Sequence, residues 1–315
     1  MNEVMFQSVV KKLQEAKDKE GNLLNMDSII ISQGTDVFKH KFKNDNTLND
    51  LRSISKPIIG LALGIAIEDG FKIGGETINI DTKIFPFFKD RIKITNKKNI
   101  AKLEKVTLKH VLTHTIGYAD GLLFSKDIKD KDPYTLLDFV FNYDIIYEPG
   151  DCFVYSNVGP YILSALIQEE VGVNLSEWVR QMLFKKIGIK NFEWKNYGKY
   201  CAGATGLKLL HEDLHKVGEI LLNNGKYAGR QLVPQHWIES MTKIQVLTPT
   251  MYDEKRVFPK YGYGFYIFIC KSGNYYIDGT DGQYLIVLPA KGILITTFGH
   301  QSDMKPITEC FKELL

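Results

Sequence analysis

Three sets of residues in the chain could do chemistry. The first is Ser53 and Lys56, at the head of the stretch RSISKPIIGLALGIAIEDG, 52–70. Residues three apart share one face of a helix. A serine at a helix N-terminus sits where the dipole favours developing negative charge. From Pro57 to Ile67 every residue is apolar or glycine, the composition of a helix buried on all sides. A lysine entering such a helix must be neutralised, paired or used, because a lone buried ammonium costs several kcal/mol. Hydroxyl and amine together make a nucleophile and its base; read blandly, they are a capping serine and a snorkelling lysine. The second set is Tyr155 and Asn157. A tyrosine hydroxyl becomes a useful base when a nearby ammonium lowers its pKa, and the amide can hold both a lysine and a substrate carbonyl. The third is His211-Glu212-Asp213-Leu214-His215, which matches the His-Glu-x-x-His pattern of zinc peptidases. Against zinc, Asp213 puts a charge inside the motif, and Leu221 stands where a longer metal motif has its third histidine. The core stripe of that helix is Leu210, Leu214, Val217 and Leu221, with the histidines beside it.

These residues need elements to position them. The N-terminal segment reads as an amphipathic helix with Val4, Phe6, Val9, Val10 and Leu13 inward. Ser28–Ser32 and Val37–Phe42 read as a hairpin, and Asn44–Asn49 as a polar loop. The buried helix follows and stops at Asp69-Gly70. Helices are expected over Thr107–His114, Pro133–Phe141, Gly159–Val171, Leu175–Ile187, Leu207–Asn223 and Pro234–Met241. Tyr261–Cys270, Asn274–Gly279, Gln283–Leu288 and Gly292–Phe298 are expected strands, and Met304–Leu315 a closing helix. Strands at both ends around a helical middle predict an α+β fold. One antiparallel sheet, flanked by helices, is built from both chain ends, and the middle forms a mainly helical second lobe. The expected division is 1–70 with 245–315 against 71–244, with the active site in the cleft between them.

Composition narrows the function. The 315 residues are 44% hydrophobic and 24% charged, with a net charge of +3, so there is material for a sizeable core and no sign of nucleic-acid binding. The basic stretch Lys93–Lys105 reads as a solvated loop. Cys152, Cys201, Cys270 and Cys310 have no metal-type spacing and read as reduced thiols. The N-terminus lacks the apolar core of a signal peptide, and the buried run is too short to cross a bilayer. The expectation is a cytoplasmic protein without a membrane segment.

Taken together, five stretches carry a resemblance. They are Ser53-Ile54-Ser55-Lys56, Leu112-Thr113-His114-Thr115-Ile116-Gly117, Tyr155-Ser156-Asn157, Tyr261-Gly262-Tyr263-Gly264, and Gly282-Gln283-Tyr284 followed by Pro289. In that order, and over nearly the whole chain from Ser28, they resemble the serine β-lactamase and penicillin-binding-protein-like superfamily. The branch resembled is that of class C β-lactamases, D-alanyl-D-alanine carboxypeptidases and related esterases. The resemblance implies a β-lactamase-like fold and a serine hydrolase that needs no cofactor. Ser53 is then the acyl-accepting nucleophile, Lys56 and Tyr155 share its deprotonation, and Asn157 positions the substrate. The oxyanion hole would pair the Ser53 N–H with an N–H near Gly279–Gln283. His114 reads as structural.

One departure bears on the substrate. Most relatives carry Lys-Thr-Gly or His-Thr-Gly where this chain has Ile277-Asp278-Gly279, followed by Thr280 and Asp281. Asp278, Gly279 and Thr280 therefore become the candidate substrate-binding residues. Loss of the cation argues against a β-lactam or D-Ala-D-Ala carboxylate and for a small ester or amide. The two acids suggest a preference for a cationic group. A penicillin-interacting carboxypeptidase or β-lactamase, a catalytically silent binding module on the same fold, and zinc chemistry at His211 and His215 are the alternatives.

Overall fold

The computed structural model describes residues 1–44 and 47–315. Asp45 and Asn46, inside the expected polar loop Asn44–Asn49, lie outside the described residues. The chain divides into two compact units: Met1–Ile54 with Asn191–Glu193 and Lys208–Leu315, and Ser55–Lys190 with Trp194–Leu207.

The first unit is built on an eight-stranded antiparallel sheet from both chain ends. In chain order its strands are β1 (Met26–Gln33), β2 (Asp36–Lys41), β3 (Val246–Leu247), β4 (Gly262–Tyr263), β5 (Phe268–Ile269), β6 (Tyr275–Gly279), β7 (Gln283–Leu288) and β8 (Ile293–Gly299). Their spatial order is β3-β4-β5-β6-β7-β8-β1-β2. The central strands are apolar runs because both faces are covered. Side chains alternate across a strand, so Ile31 on β1 lies with its partner Phe38, which stacks on Phe6 of helix α1 (Glu3–Glu15). Ser28 and Ser32 point the other way, toward a helix at His211–Leu222.

The second unit is mainly helical. Its central helix, α2 (Ser55–Glu68), is buried from Ser55 to Ala66 and packs against α6 (Leu175–Met182). Between them in the chain come α3 (Leu108–Leu112), α4 (Leu136–Asn142) and α5 (Val158–Val171). The glycine stop holds: Gly70 has φ +78°, and Phe71 N–H returns to Ala66 O at 2.8 Å.

Several expectations change. Val4 is 78% exposed, while Phe6, Val9, Val10 and Leu13 are buried. The expected helix over Leu207–Asn223 begins as a strand, Leu207–Leu209, which pairs with Asn49–Asp50, and only then becomes α7 (His211–Leu222). That helix packs on β1, β7 and β8 and groups with the sheet, not with the helical middle; α2 groups with the helical unit. The expected strand Tyr261–Cys270 is broken into β4 and β5. Gly264 sits where a Cβ would lie 2.0 Å from Met241 O, and Tyr266 has φ +62°. Tight turns also shorten other helices: Pro133–Thr135, Phe184–Ile187 and Lys312–Leu314 are 3-10 turns.

Candidate active site

The candidate residues fall in both units. Lys56, Tyr155, Asn157 and His114 belong to the helical unit; Ser53 and the 277–281 segment belong to the sheet unit. Ser53 lies on the 3-10 turn Arg52–Ile54, which leads without a break into α2. It is half-buried.

In the helical unit, Lys56 is 1% exposed. Its Nζ donates to Ala204 O at 3.3 Å and stands 4.8 Å from the centroid of the Tyr155 ring. The ammonium is thus buried over the face of the phenol ring. Tyr155 is held on other sides by Phe124, stacked at 6.5 Å, and by the His114 ring at 5.1 Å. His114 is buried with φ +57°, and its carbonyl accepts from Val154 N–H at 3.0 Å. Burial, then the nearby Lys56 charge, pushes its pKa well below 6.5. A neutral ring that frames Tyr155 agrees with a structural role.

The Tyr155-Ser156-Asn157 triplet is clamped by a loop that sequence reasoning did not single out. Ser156 Oγ accepts from Leu122 N–H and donates to Leu122 O, both at 3.1 Å. Asn157 donates through Nδ2 to Leu123 O at 3.0 Å, and Leu123 has φ +61°. A Cβ on Gly121 would lie 2.4 Å from Tyr155 O and 2.7 Å from the Phe124 ring. The available signal was a glycine beside the apolar Leu122-Leu123-Phe124, which only tertiary contact makes meaningful. The Asn157 Oδ1 is buried without a hydrogen-bond partner, a polar atom of the kind that calls for explanation.

In the sheet unit, β6 ends against the turn that carries Ser53. A Cβ at Gly279 would meet Leu51 O at 2.4 Å and the Arg52 Cβ at 2.9 Å, so only glycine lets the strand approach so closely. Thr280 is exposed. Asp278 is not a free anionic pocket. Lys260 Nζ lies 3.0 Å from its Oδ2 and 3.3 Å from its Oδ1, and Arg256 lies 4.0 Å away. Asp281 pairs with Arg52 at 2.8 Å, and Arg52 also meets Asp50 at 3.3 Å. Arg52, Arg256 and Lys260 thus balance Asp50, Asp278 and Asp281. The acids read from sequence as a cation-binding feature already have partners. The signal for those partners is three basic residues, one of them next to Ser53, whose pairing only the fold reveals.

Left-handed backbone at residues other than glycine occurs in the candidate segments of each unit, at Arg52 and Asp281 in the sheet unit and at His114 and Leu123 in the helical one. These are four of the seven such residues among those described. Such strain persists where surrounding structure over-determines it, and often at functional sites.

The histidine pair has a different role. His211 Nδ1 is joined to Ser28 Oγ, and His211 Nε2 to Thr296 Oγ1 at 3.0 Å. His215 Nδ1 meets the same Thr296 Oγ1 at 2.9 Å, and its Nε2 meets Ser32 Oγ at 3.0 Å. All four ring nitrogens are engaged by hydroxyls of β1 and β8. Thr296 has one hydroxyl proton, so it donates to one ring and accepts from the other, which suits two neutral imidazoles. Glu212 pairs at the surface with Lys39, 3.9 Å away. The motif fastens α7 to the sheet.

A large antiparallel sheet with a Ser-x-x-Lys turn and buried central helix defines a β-lactamase-like protein. The model of the Beta-lactamase family matches residues 15–306, and the chain belongs to that family. Among its relatives is a penicillin-binding protein of Bacillus subtilis (strain 168), 24% identical over 181 residues, which are 51% of this chain and 36% of that protein. The chain thus spans about a third of that relative's length. Similar solved structures include EstCE1, described as a hydrolase with promiscuous acyltransferase activity, with a TM-score of 0.75 and 15% identity over 98% of this chain and all of that one (100%). Another is the octameric penicillin-binding protein homologue from Pyrococcus abyssi, with a TM-score of 0.74 and 20% identity, covering 98% of this chain and 75% of that one. Among the described residues, no helix is long and apolar enough to cross a membrane.

Proposed function

We propose that the chain is a serine hydrolase that forms an acyl-enzyme on Ser53, with a small neutral ester or amide as substrate. The observation that carries this reading is Lys56, 1% exposed in an apolar helix and 4.8 Å from the Tyr155 ring centroid. A buried lysine kept beside a tyrosine, three residues after a half-buried serine, has a use in proton transfer that packing alone does not supply. Ser53 Oγ attacks the substrate carbonyl, and its proton passes to the Lys56–Tyr155 pair. The oxyanion is held by Ser53 N–H and an N–H of the 279–283 turn. The intermediate collapses, the proton goes to the departing alcohol or amine, and the acyl group stays on Ser53. Water, deprotonated by the same pair, attacks the acyl carbonyl; the Ser53 Oγ–acyl bond breaks, Oγ takes the proton back from the pair, and the acid leaves. Asn157 orients the substrate. The balanced charges around Asp278 and Asp281 favour a neutral substrate over an amine or a carboxylate.

The test is intact-protein mass after incubation with p-nitrophenyl acetate and, separately, benzylpenicillin, with Ser53→Ala as control. Expected is a Ser53-dependent acyl adduct or turnover with the ester and none with the penicillin. A stable penicilloyl adduct would move the reading to the carboxypeptidase class. Equal reactivity in Ser53→Ala would remove the serine mechanism.

A further inference from the structure

Arg52 and Asp281 stand where the two candidate oxyanion donors are anchored. Arg52 directly precedes Ser53, and Asp281 lies in the turn between β6 and β7. Both are in the left-handed region, at φ +52° and +71°. Each such residue carries backbone strain that glycine would not. The chain keeps two charged side chains there, and those side chains are joined, Arg52 Nη2 to Asp281 Oδ2 at 2.8 Å.

Both ends are braced. Asp50 Oδ1 accepts from Arg52 N–H at 2.8 Å, and Asp50 Oδ2 lies 3.3 Å from Arg52 Nη1. Asp281 O accepts from Gln301 N–H at 3.0 Å and Gln283 Nε2 at 3.4 Å; the neighbouring Gly282 O accepts from Thr297 Oγ1 at 2.8 Å. Between them, the Gly279 backbone presses on Leu51 O. The two side chains are 43% and 37% exposed, so the pair adds little to global stability. Its geometric effect is local, across the two segments.

We propose that Arg52 and Asp281 form a positioning clasp, holding Ser53 N–H and the 279–283 turn in the register at which both donors converge on one oxyanion. The inference rests on the acyl-enzyme reading. It assigns neither residue contact with substrate; both act through backbone they hold.

The experiment measures p-nitrophenyl acetate turnover and the rate of Ser53 labelling by a fluorophosphonate. The proteins are the full chain, Asp281→Asn, Arg52→Gln, the double variant and Arg52→Lys. One misplaced donor predicts a fall of about 10- to 100-fold in kcat and labelling rate for each single variant, with KM within about twofold. The double variant should fall no further than either single one, Arg52→Lys should recover most of the loss, and melting temperatures should stay within about 3 °C. Singles within twofold of the parent, losses that multiply in the double variant, or a rise in KM alone overturn the clasp. Labelling that persists in Ser53→Ala, or is missing from the parent, overturns the acyl-enzyme reading and the clasp with it. Normal parental labelling with unchanged variants removes only the clasp.

Discussion

Acid should loosen this protein through its histidine pair. Burial, joined by the Lys39 charge and for His211 also by His215 and Lys41, pushes the pKa of both His211 and His215 down to about 3. An unfolded histidine titrates near 6.5. Above that pH both states are neutral, and the full contribution to stability is present. Below it the unfolded chain takes up two protons that the native network refuses. Each histidine then removes about 1.4 kcal/mol per pH unit, until the native rings protonate near pH 3. Between pH 7 and pH 5 the pair should cost about 4 kcal/mol, a large share of the stability of an ordinary domain. Urea unfolding at pH 7, 6 and 5 measures this, and proton NMR of the imidazole rings follows the native titration. His215→Gln should roughly halve the slope. Ring resonances that titrate in the native protein with midpoints near 6.5, or an unfolding free energy equal at pH 7 and pH 5, would refute the reasoning.

Other expectations follow from the same geometry. Thr296→Val removes the shared hydroxyl between the two rings and should destabilise by about 2–4 kcal/mol, read by chemical denaturation. Lys56→Met should abolish Ser53 labelling by fluorophosphonate while leaving the melting temperature equal or higher, because a buried charge is exchanged for an apolar chain of similar length. Gly121→Ala drives a methyl into Tyr155 O and should lower kcat at least tenfold, with about 1–3 kcal/mol lost in stability. Asp278→Asn leaves buried Lys260 without its anion and should cost about 2–3 kcal/mol. The rate ratio between amine-bearing and neutral esters should stay unchanged; a marked fall would restore Asp278 as a cation site.

The sequence made the helix Ser55–Glu68 legible because an unbroken apolar run ending in glycine has few other solutions. The sheet from both ends was legible through its alternating or wholly apolar strands. What escaped was decided by partners distant in the chain. Leu207–Leu209 looks helical by periodicity but is captured by Asn49–Asp50. Val4 fits an apolar stripe, yet α1 turns it to solvent. At the candidate site, Ser53, Lys56 and Tyr155 stood out as candidates only jointly, by their order along the chain, because neither Ser-x-x-Lys nor Tyr-x-Asn is specific alone. The partners of Asp278 and Asp281 could not, because a lysine or arginine carries no mark of which carboxylate it will meet. The His-Glu-x-x-His helix shows the converse: a motif with a strong chemical association, given another task by three hydroxyls on neighbouring strands.

The sheet has a consequence for how the chain is made. β1 lies between β2 and β8, and Ile30 faces Thr296 across nearly the entire length of the chain. During synthesis the N-terminal hairpin must wait, with one edge of β1 open, until residues 293–299 emerge. The helical unit, whose residues all precede Lys208, can fold in that interval. Ribosome-bound chains that stop before Ile293 should therefore hold a folded helical unit and a hairpin exposed to chaperones. Emergence of β8 would then close the sheet against β1 and bring Thr296 to the waiting histidines.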